Sequence, residues 1–497
     1  MTRRWQEWIL IFAAAFAIFW SILRASVQSI TIDEADTYNF FLSRTIRFVW
    51  WPSPNNHVLN TILMWITTHL LGTWNITMRA PALFGAVIYI SVCYFLCRSL
   101  AGGFVLSLAL FLCLVYNPFV FDYLVAARGY SLAMAFLFFA IAIPVFRHVH
   151  GRPSLLRCCV WASIAIGLSF SANFSFAFVD LVTILVIAAW ALRNREGRSI
   201  VKILEACALP GLFLALLICG YPLVHWKAGD LFWGSHSLQE MFQTLVEPSF
   251  YRLDPSLAGT GLSAAMNFLK PLFPSVIGVL SAALIITTRL DGSWLQDAET
   301  RWLGRLAASL ALIALASALV HWLAFHFFQL LLPRGRTGLY LVVLATLIAG
   351  IVAAVPPKSS VSNWLRRCLT ASFVVLACYF LLCLRLTYFE EWRWDADMND
   401  VYQVLARYNH TYGVTAVEAD WQYRSALNYY LLVSKKETIP PFASMKPLTA
   451  EGKSLFVLHR VLDRPFLEKE KLIVVYQGKS TDVVIAVKPD SHIPPLP

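Results

Sequence analysis

Long apolar runs separated by short polar connections fill most of the chain, a pattern that predicts helices crossing a membrane. Runs long enough to span fall at about 5–26, 57–71, 80–97, 104–120, 130–146 and 158–174. They continue at about 176–192, 203–223, 262–287, 306–324, 339–355 and 369–384. About twelve helices are expected, within a range of about 11–13. After Leu384 the pattern changes to charged residues, Gly, Pro and short alternating runs. That stretch predicts helices over about 395–408 and 423–432, and strands over about 414–417, 455–459, 472–476 and 483–487. The expected fold is therefore mainly α: a polytopic transmembrane helical domain over 1–384, then a small soluble α/β domain over 385–497.

Charge orients this scheme. The connections 147–157, 193–202 and 358–367 are short and rich in Lys and Arg, which places them in the cytoplasm. By alternation 116–129, 224–261, 326–338 and everything after Leu384 face outward. Arg3 and Arg4 also argue for a cytoplasmic N-terminus, but an even number of spans returns both chain ends to one side. The conflict lies in 57–103, where 57–71 is short for a crossing. No small-residue cleavage site follows Leu23 and Arg24, so the first run reads as a retained anchor.

Composition agrees with the pattern. Of 497 residues 58% are hydrophobic and 14% charged, with mean hydropathy +0.63, too little polar surface for a soluble globule. The net charge of +11 is spread over short connections and forms no continuous stripe, which argues against nucleic acid as a partner and for membrane lipids. All ten cysteines fall in or beside apolar runs and read as small hydrophobes. Neither a disulfide framework nor a zinc site is indicated.

Candidate chemistry begins in an outer loop over 28–56, where Asp33, Glu34 and Asp36 stand together just past the first run. Beyond them Phe40, Phe41, Ile46, Val49 and Trp50 alternate with Ser43, Arg44 and Arg47, predicting an amphipathic helix along the membrane surface. A carboxylate held at that boundary can take a proton from a hydroxyl, which makes Asp33 the candidate base. The same residues also read as a helix start, with Thr31 or Asp33 as cap and Glu34 and Asp36 favoured by the positive helix end.

Three ordered segments carry a family resemblance: Asp33-Glu34 after the first span; Arg79-Ala80-Pro81-Ala82-Leu83-Phe84-Gly85; and Ala127-Arg128-Gly129-Tyr130-Ser131-Leu132. Together they resemble the membrane-embedded GT-C glycosyltransferases, among them the protein mannosyltransferases and the lipid A aminoarabinose transferases. The resemblance implies Asp33 as the catalytic acid, with Glu34 orienting it or positioning the sugar. Relatives often have Lys-Pro-Pro or His-Pro-Pro where this chain reads Pro54-Asn55-Asn56-His57, so His57 or Asn56 takes over that contact. Some carry a second acid after the Ala-Arg segment; here the nearby acid is Asp122, upstream of Arg128.

A lipid-phosphate donor needs cations at the outer interface, because its leaving group gains negative charge as the sugar bond breaks. Arg128, Lys227, Arg334 and Arg336 qualify by predicted position, with His57 and Tyr130 beside them; ordinary interfacial snorkelling is the alternative for each cation. Asn56, Asp122, Trp233 and His236 complete the expected set as substrate-positioning residues. The aromatic segments around Trp226, Phe232-Trp233 and Phe250-Tyr251-Arg252 suit either a cover over a site or an interfacial belt. No histidine shows metal-ligand spacing, so no metal site is assigned and no cofactor is required, although magnesium or manganese suits a carboxylate beside a phosphate.

The expected activity is inverting transfer of a sugar from a polyprenyl-phosphate donor to a hydroxyl of a glycan, lipid or protein. The expected place is the periplasmic face of a bacterial inner membrane. The second reading is a polytopic transporter or lipid flippase, for which Asp180 is the one intramembrane acid singled out.

Overall fold

The computed structural model of the protein describes residues 3–493 apart from 152, 228–229, 232, 251–260, 262–263, 266–267, 269, 271, 444–445 and 492. It divides into two compact units. The first is built from Met1–Ile22, Pro52–Asn60 and Pro81–Leu384; the second from Leu23–Trp51, Thr61–Ala80 and Arg385–Pro497.

The helices of the apolar region run in chain order as α1 (Arg3–Val27), α2 (Ile32–Thr37), α3 (Val58–Leu71), α4 (Asn75–Leu100), α5 (Phe104–Val115) and α6 (Pro118–Val125). Next come α7 (Tyr130–Val149), α8 (Leu155–Ala172), α9 (Ala177–Arg193), α10 (Ile200–His225) and α11 (Leu238–Val246). The last are α12 (Leu272–Leu290), α13 (Ala298–Phe328), α14 (Leu339–Ala354) and α15 (Ser360–Leu382). Among the described residues ten helices are long and apolar enough to cross a membrane, and the α5–α6 pair, bent by 56°, makes up to eleven.

The expected twelfth span over 57–71 is corrected: α3 has 14 residues and reaches about 21 Å, short of a hydrocarbon core of about 30 Å. The run expected over 104–120 breaks at Asn117-Pro118. Pro118 lacks the amide that would continue α5, and Asn117 accepts from the Phe119 and Val120 amides to start α6. Small residues let α8 and α10 meet. A Cβ on Gly167 would lie 2.7 Å from the Gly211 Cα, and the Ser163 hydroxyl accepts from the Gly211 amide at 2.9 Å.

In the second unit the tail folds as α16 (Met398–Tyr412), β1 (Val417–Ala419), α17 (Trp421–Ser434), β2 (Leu455–His459), α18 (Arg464–Lys469), β3 (Ile473–Gln477) and β4 (Val483–Val487). The sheet order is β1-β2-β4-β3, parallel between β1 and β2 and antiparallel elsewhere. β4 is buried at all five positions, which is why its sequence is continuously apolar, whereas β3 is an exposed edge with a bulge at Val474/Tyr476. The first strand starts at Val417 rather than near 414 because its register is set by Val417 pairing with Leu455. The short α18 was not expected.

The amphipathic helix expected over 40–50 is also corrected. After α2 the chain makes a π turn over Tyr38–Leu42 and a 3-10 turn over Ile46–Trp50. Long-range bonds override the local periodicity: the Ser425 hydroxyl donates to Asp36 Oδ1 at 2.6 Å, the Asn39 amide donates to the Ser425 carbonyl at 2.9 Å, and Tyr38 meets Tyr429 edge-on at 5.1 Å.

Candidate active site

In the second unit, α2 carries the three acids. Thr31 caps it in a reciprocal box: the Thr31 hydroxyl accepts from the Glu34 amide at 3.2 Å, and Glu34 Oε2 accepts from the Thr31 amide at 3.0 Å. Glu34 is fully buried and also binds Arg79, whose Nε donates to Oε1 at 2.9 Å and whose Nη2 donates to Oε2 at 2.7 Å. Arg79 further donates to the carbonyls of Ala25 (3.2 Å), Gln28 (2.8 Å) and Ser29 (2.7 Å). All five guanidinium N–H groups are thus used, as a buried cation requires. Arg79 and Glu34 fix the path of residues 25–34, and Glu34 is committed to that task.

Asp33, by contrast, is only half-buried. Its Oδ2 accepts from the indole Nε1–H of Trp392 at 3.2 Å, and Trp392 is itself buried. A second tail residue grips the same turn: Asp395 Oδ2 accepts from the Ile32 amide at 2.7 Å. The Ser29 hydroxyl donates to the Ala396 carbonyl at 2.7 Å, and the Ile30 amide donates to the Tyr430 hydroxyl at 3.2 Å. Burial pushes the Asp395 carboxyl well above the usual carboxylate range; the Ile32 amide opposes this, and neighbouring Asp33, Glu34 and Asp36 add to it. Trp392 and Asp395 stand some 360 positions from the acids in sequence; the sequence marks out their segment, for acceptor docking or for domain folding, but not its bonds to the acidic turn. The only local signal was the Trp-Arg-Trp-Asp-Ala-Asp composition of 392–397.

The expected donor-binding residues lie in the first unit, where one end of the bundle gathers several loops. Arg128 Nη2 donates to Asn55 Oδ1, and the Arg128 carbonyl accepts from Asn173 Nδ2 at 3.4 Å. Gly129 turns the chain at φ +73°, where an added Cβ would collide with the Ala172 carbonyl and sit 3.1 Å from the His57 Cβ. That turn delivers Tyr130 to 5.7 Å from the His57 ring and 4.9 Å from Tyr123. His57 is buried, and neither ring nitrogen has a hydrogen-bond partner. Burial, then the charges of Arg128 and Arg336, hold its imidazole well below the ordinary value of 6.5. Asn56 and Asp122 are buried nearby in sequence, Asn56 in the turn before α3 and Asp122 on α6.

Trp233, Arg334 and Arg336 form one assembly. Both guanidinium groups lie over the Trp233 ring, at 5.1 and 5.7 Å, and Arg334 pairs with Glu240 at 3.4 Å. A two-way backbone bridge between Ser235 and Leu332 closes the two loops on each other. His236 sits at its margin, exposed, with its amide donating to Glu240 Oε2 at 2.9 Å. Lys227 is exposed and touches none of these groups through a side-chain bond or ion pair among those described. Phe232, Tyr251 and Arg252 lie outside the described residues. The second and third resemblance segments pack together: the Ser131 hydroxyl donates to the Ala82 carbonyl at 2.6 Å, and a Cβ on Gly85 would lie 2.7 Å from the Leu132 amide. Among the described residues no group of three or more His, Cys, Asp or Glu side chains converges as a metal site.

The described residues thus comprise ten or eleven apolar spans, an acid-bearing turn after the first of them and a small mixed-sheet tail, an arrangement similar in fold to solved membrane glycosyltransferases. The apo structure of ArnT, the lipid A aminoarabinose transferase, from Cupriavidus metallidurans matches with a TM-score of 0.50 at 13% identity, covering 98% of this chain and 99% of that one. The same enzyme bound to undecaprenyl phosphate matches at 0.46 with 12% identity over 98% and 99%. The mycobacterial arabinofuranosyltransferase AftD matches at 0.45 with 15% identity, over 99% of this chain but 40% of its own. At such identities the likeness establishes the fold. No family model matches the chain, and no curated protein does.

Proposed function

We propose that the protein is an inverting membrane glycosyltransferase that moves a sugar from a polyprenyl-phosphate donor to a hydroxyl of a glycan, lipid or protein. The observation that carries this reading is the bond from the buried Trp392 indole that orients the half-buried Asp33 carboxylate, while Glu34 is bonded to Arg79 and the likewise half-buried Asp36 to Ser425. In the reaction the acceptor oxygen attacks the anomeric carbon as its proton passes to Asp33, and the bond from that carbon to the phosphate oxygen breaks, releasing polyprenyl phosphate.

The basic cluster suits the phosphate. The His57 imidazole is buried near the charges of Arg128 and Arg336 with neither ring nitrogen partnered, and an unmatched buried polar group costs about 1–3 kcal/mol. The first unit also contains an apolar cavity of about 490 Å³ lined by Leu245, Phe250, Ile277, Val342 and Phe373, suited to a prenyl chain. Among the described residues, with the bent pair counted once, eleven spans would put the chain ends on opposite faces. That count is compatible with the proposed cytoplasmic N-terminus and periplasmic tail. Asp180, the acid singled out for the transporter reading, is buried in the first turn of α9 and accepts from the Ser169 hydroxyl at 2.9 Å.

The test is to offer purified protein a panel of polyprenyl-phosphate sugars with membrane extract as acceptor and to follow sugar transfer by mass spectrometry. Transfer that survives EDTA is expected, since Asp33 and the cations cover both charge changes. No transfer, together with solute or lipid movement across liposomes, would move the assignment to transport.

A further inference from the structure

The opposite end of the bundle in the first unit holds a cavity of about 400 Å³ between α7, α9 and α13, a volume within the range of small-molecule sites. Its floor is apolar, formed by Ile141, Pro144, Val186, Ile187, Leu310 and Ile313. Its rim is basic, formed by Arg147, His148, Arg193 and Arg305, with Glu196 as the one acid in the lining. Trp190 and Trp302 stand beside the rim, where tryptophan marks the headgroup level of a bilayer.

The four basic groups are not equivalent. Arg147 donates to the Pro153 carbonyl and pairs with Glu196 at 3.3 Å. His148 lies 2.9 Å from Glu299 and stacks on Trp302 at 3.9 Å between centroids, nearly parallel at 6°. These two are spent on shaping the rim. Arg193 and Arg305 have no acid or hydrogen-bond partner among the described residues, although both border the same space. Deeper in, Thr183 is fully buried with a hydroxyl that lacks a partner, and it too lines the cavity.

Arginines that merely snorkel need no cavity below them and leave no buried hydroxyl unmatched. A free phosphate would leave the apolar floor bare. An amphiphile with an anionic head uses every part. We propose that this cavity binds an anionic glycerophospholipid of the surrounding bilayer, its phosphate between Arg193 and Arg305 and an acyl chain along Ile187, Leu310 and Ile313. Basic pockets between membrane helices are a recurrent way of holding such headgroups. The site uses none of the residues assigned to sugar transfer and stands whether or not that assignment does.

The experiment is native mass spectrometry of the full chain in detergent with equal amounts of phosphatidylglycerol and phosphatidylethanolamine, and separately with glycerol 3-phosphate. Wild type is expected to retain phosphatidylglycerol at least about tenfold over phosphatidylethanolamine. The Arg193→Ala/Arg305→Ala double variant should lose that preference. Ser309→Phe, which fills the cavity without altering charge, should lose bound lipid of either kind at this site and serves should the double variant fail to fold. Equal retention of the two lipids by wild type, or undiminished preference in a folded variant, overturns the proposal. Binding of glycerol 3-phosphate as tight as that of the lipid overturns it as well, in favour of a soluble phosphate ligand.

Discussion

The turn that carries the acids and the cluster that carries the cations are built in opposite ways. Around α2 the polar groups bond one another densely: Arg79 spends five donors, Glu34 serves both cap and ion pair, and Trp392, Ser425 and Tyr430 bond the same turn. Around His57 two arginines approach a buried ring whose nitrogens have no partner. A matched network fixes geometry, which a base must have before substrate arrives. The partnerless His57 nitrogens leave a demand that a ligand can meet, as the proposed phosphate site would require. Under the proposed function the contrast suits positioning at the first cluster and phosphate capture at the second.

The comparison can be broken most sharply at Arg79. Arg79→Ala leaves Glu34 charged and buried without its guanidinium, and is expected to cost about 3–5 kcal/mol in denaturant unfolding. A loss under about 1 kcal/mol would show that the network is not what holds the turn. Gly129→Ala comes next, because the new Cβ meets the Ala172 carbonyl at a left-handed φ; a loss of about 2 kcal/mol is expected in the same measurement.

His57 gives a pH signature. Its folded value is depressed, so below about 6.5 the unfolded chain binds a proton that the folded chain refuses, and stability is lost as pH falls. The slope of unfolding free energy is expected to reach up to about 1.4 kcal/mol per pH unit there and to flatten above. His57→Gln should remove that part of the slope, and an unchanged slope would mean that the ring is not held neutral. The smallest effect is at Trp392. Trp392→Phe keeps the packing and drops one hydrogen bond to Asp33, so kcat should fall about fivefold with KM nearly unchanged. A shift in KM alone would place Trp392 in substrate binding instead.

Much of this was legible along the chain because it is periodic. The spans follow from run length, and β2 and β4 from short apolar runs between turn residues. The misreadings have physical causes. Residues 57–71 are apolar enough for a span but lack its length, and 40–50 alternates like an amphipathic helix yet is pulled into turns by Ser425 and Tyr429. The Glu34–Arg79 pair joins positions 45 apart, and Trp392 reaches Asp33 across 359, distances at which no spacing rule operates. The stacking of Arg334 and Arg336 on one tryptophan was likewise invisible, though all three residues were expected at the site.

The most direct test of the central claim compares Asp33→Asn with wild type in a single-turnover transfer assay, with unfolding measured on the same samples. The account predicts a rate lower by about 10²–10⁴ with stability nearly unchanged, because the substitution keeps the shape and the Trp392 contact but removes the base. A folded Asp33→Asn protein that transfers sugar at the wild-type rate would contradict it.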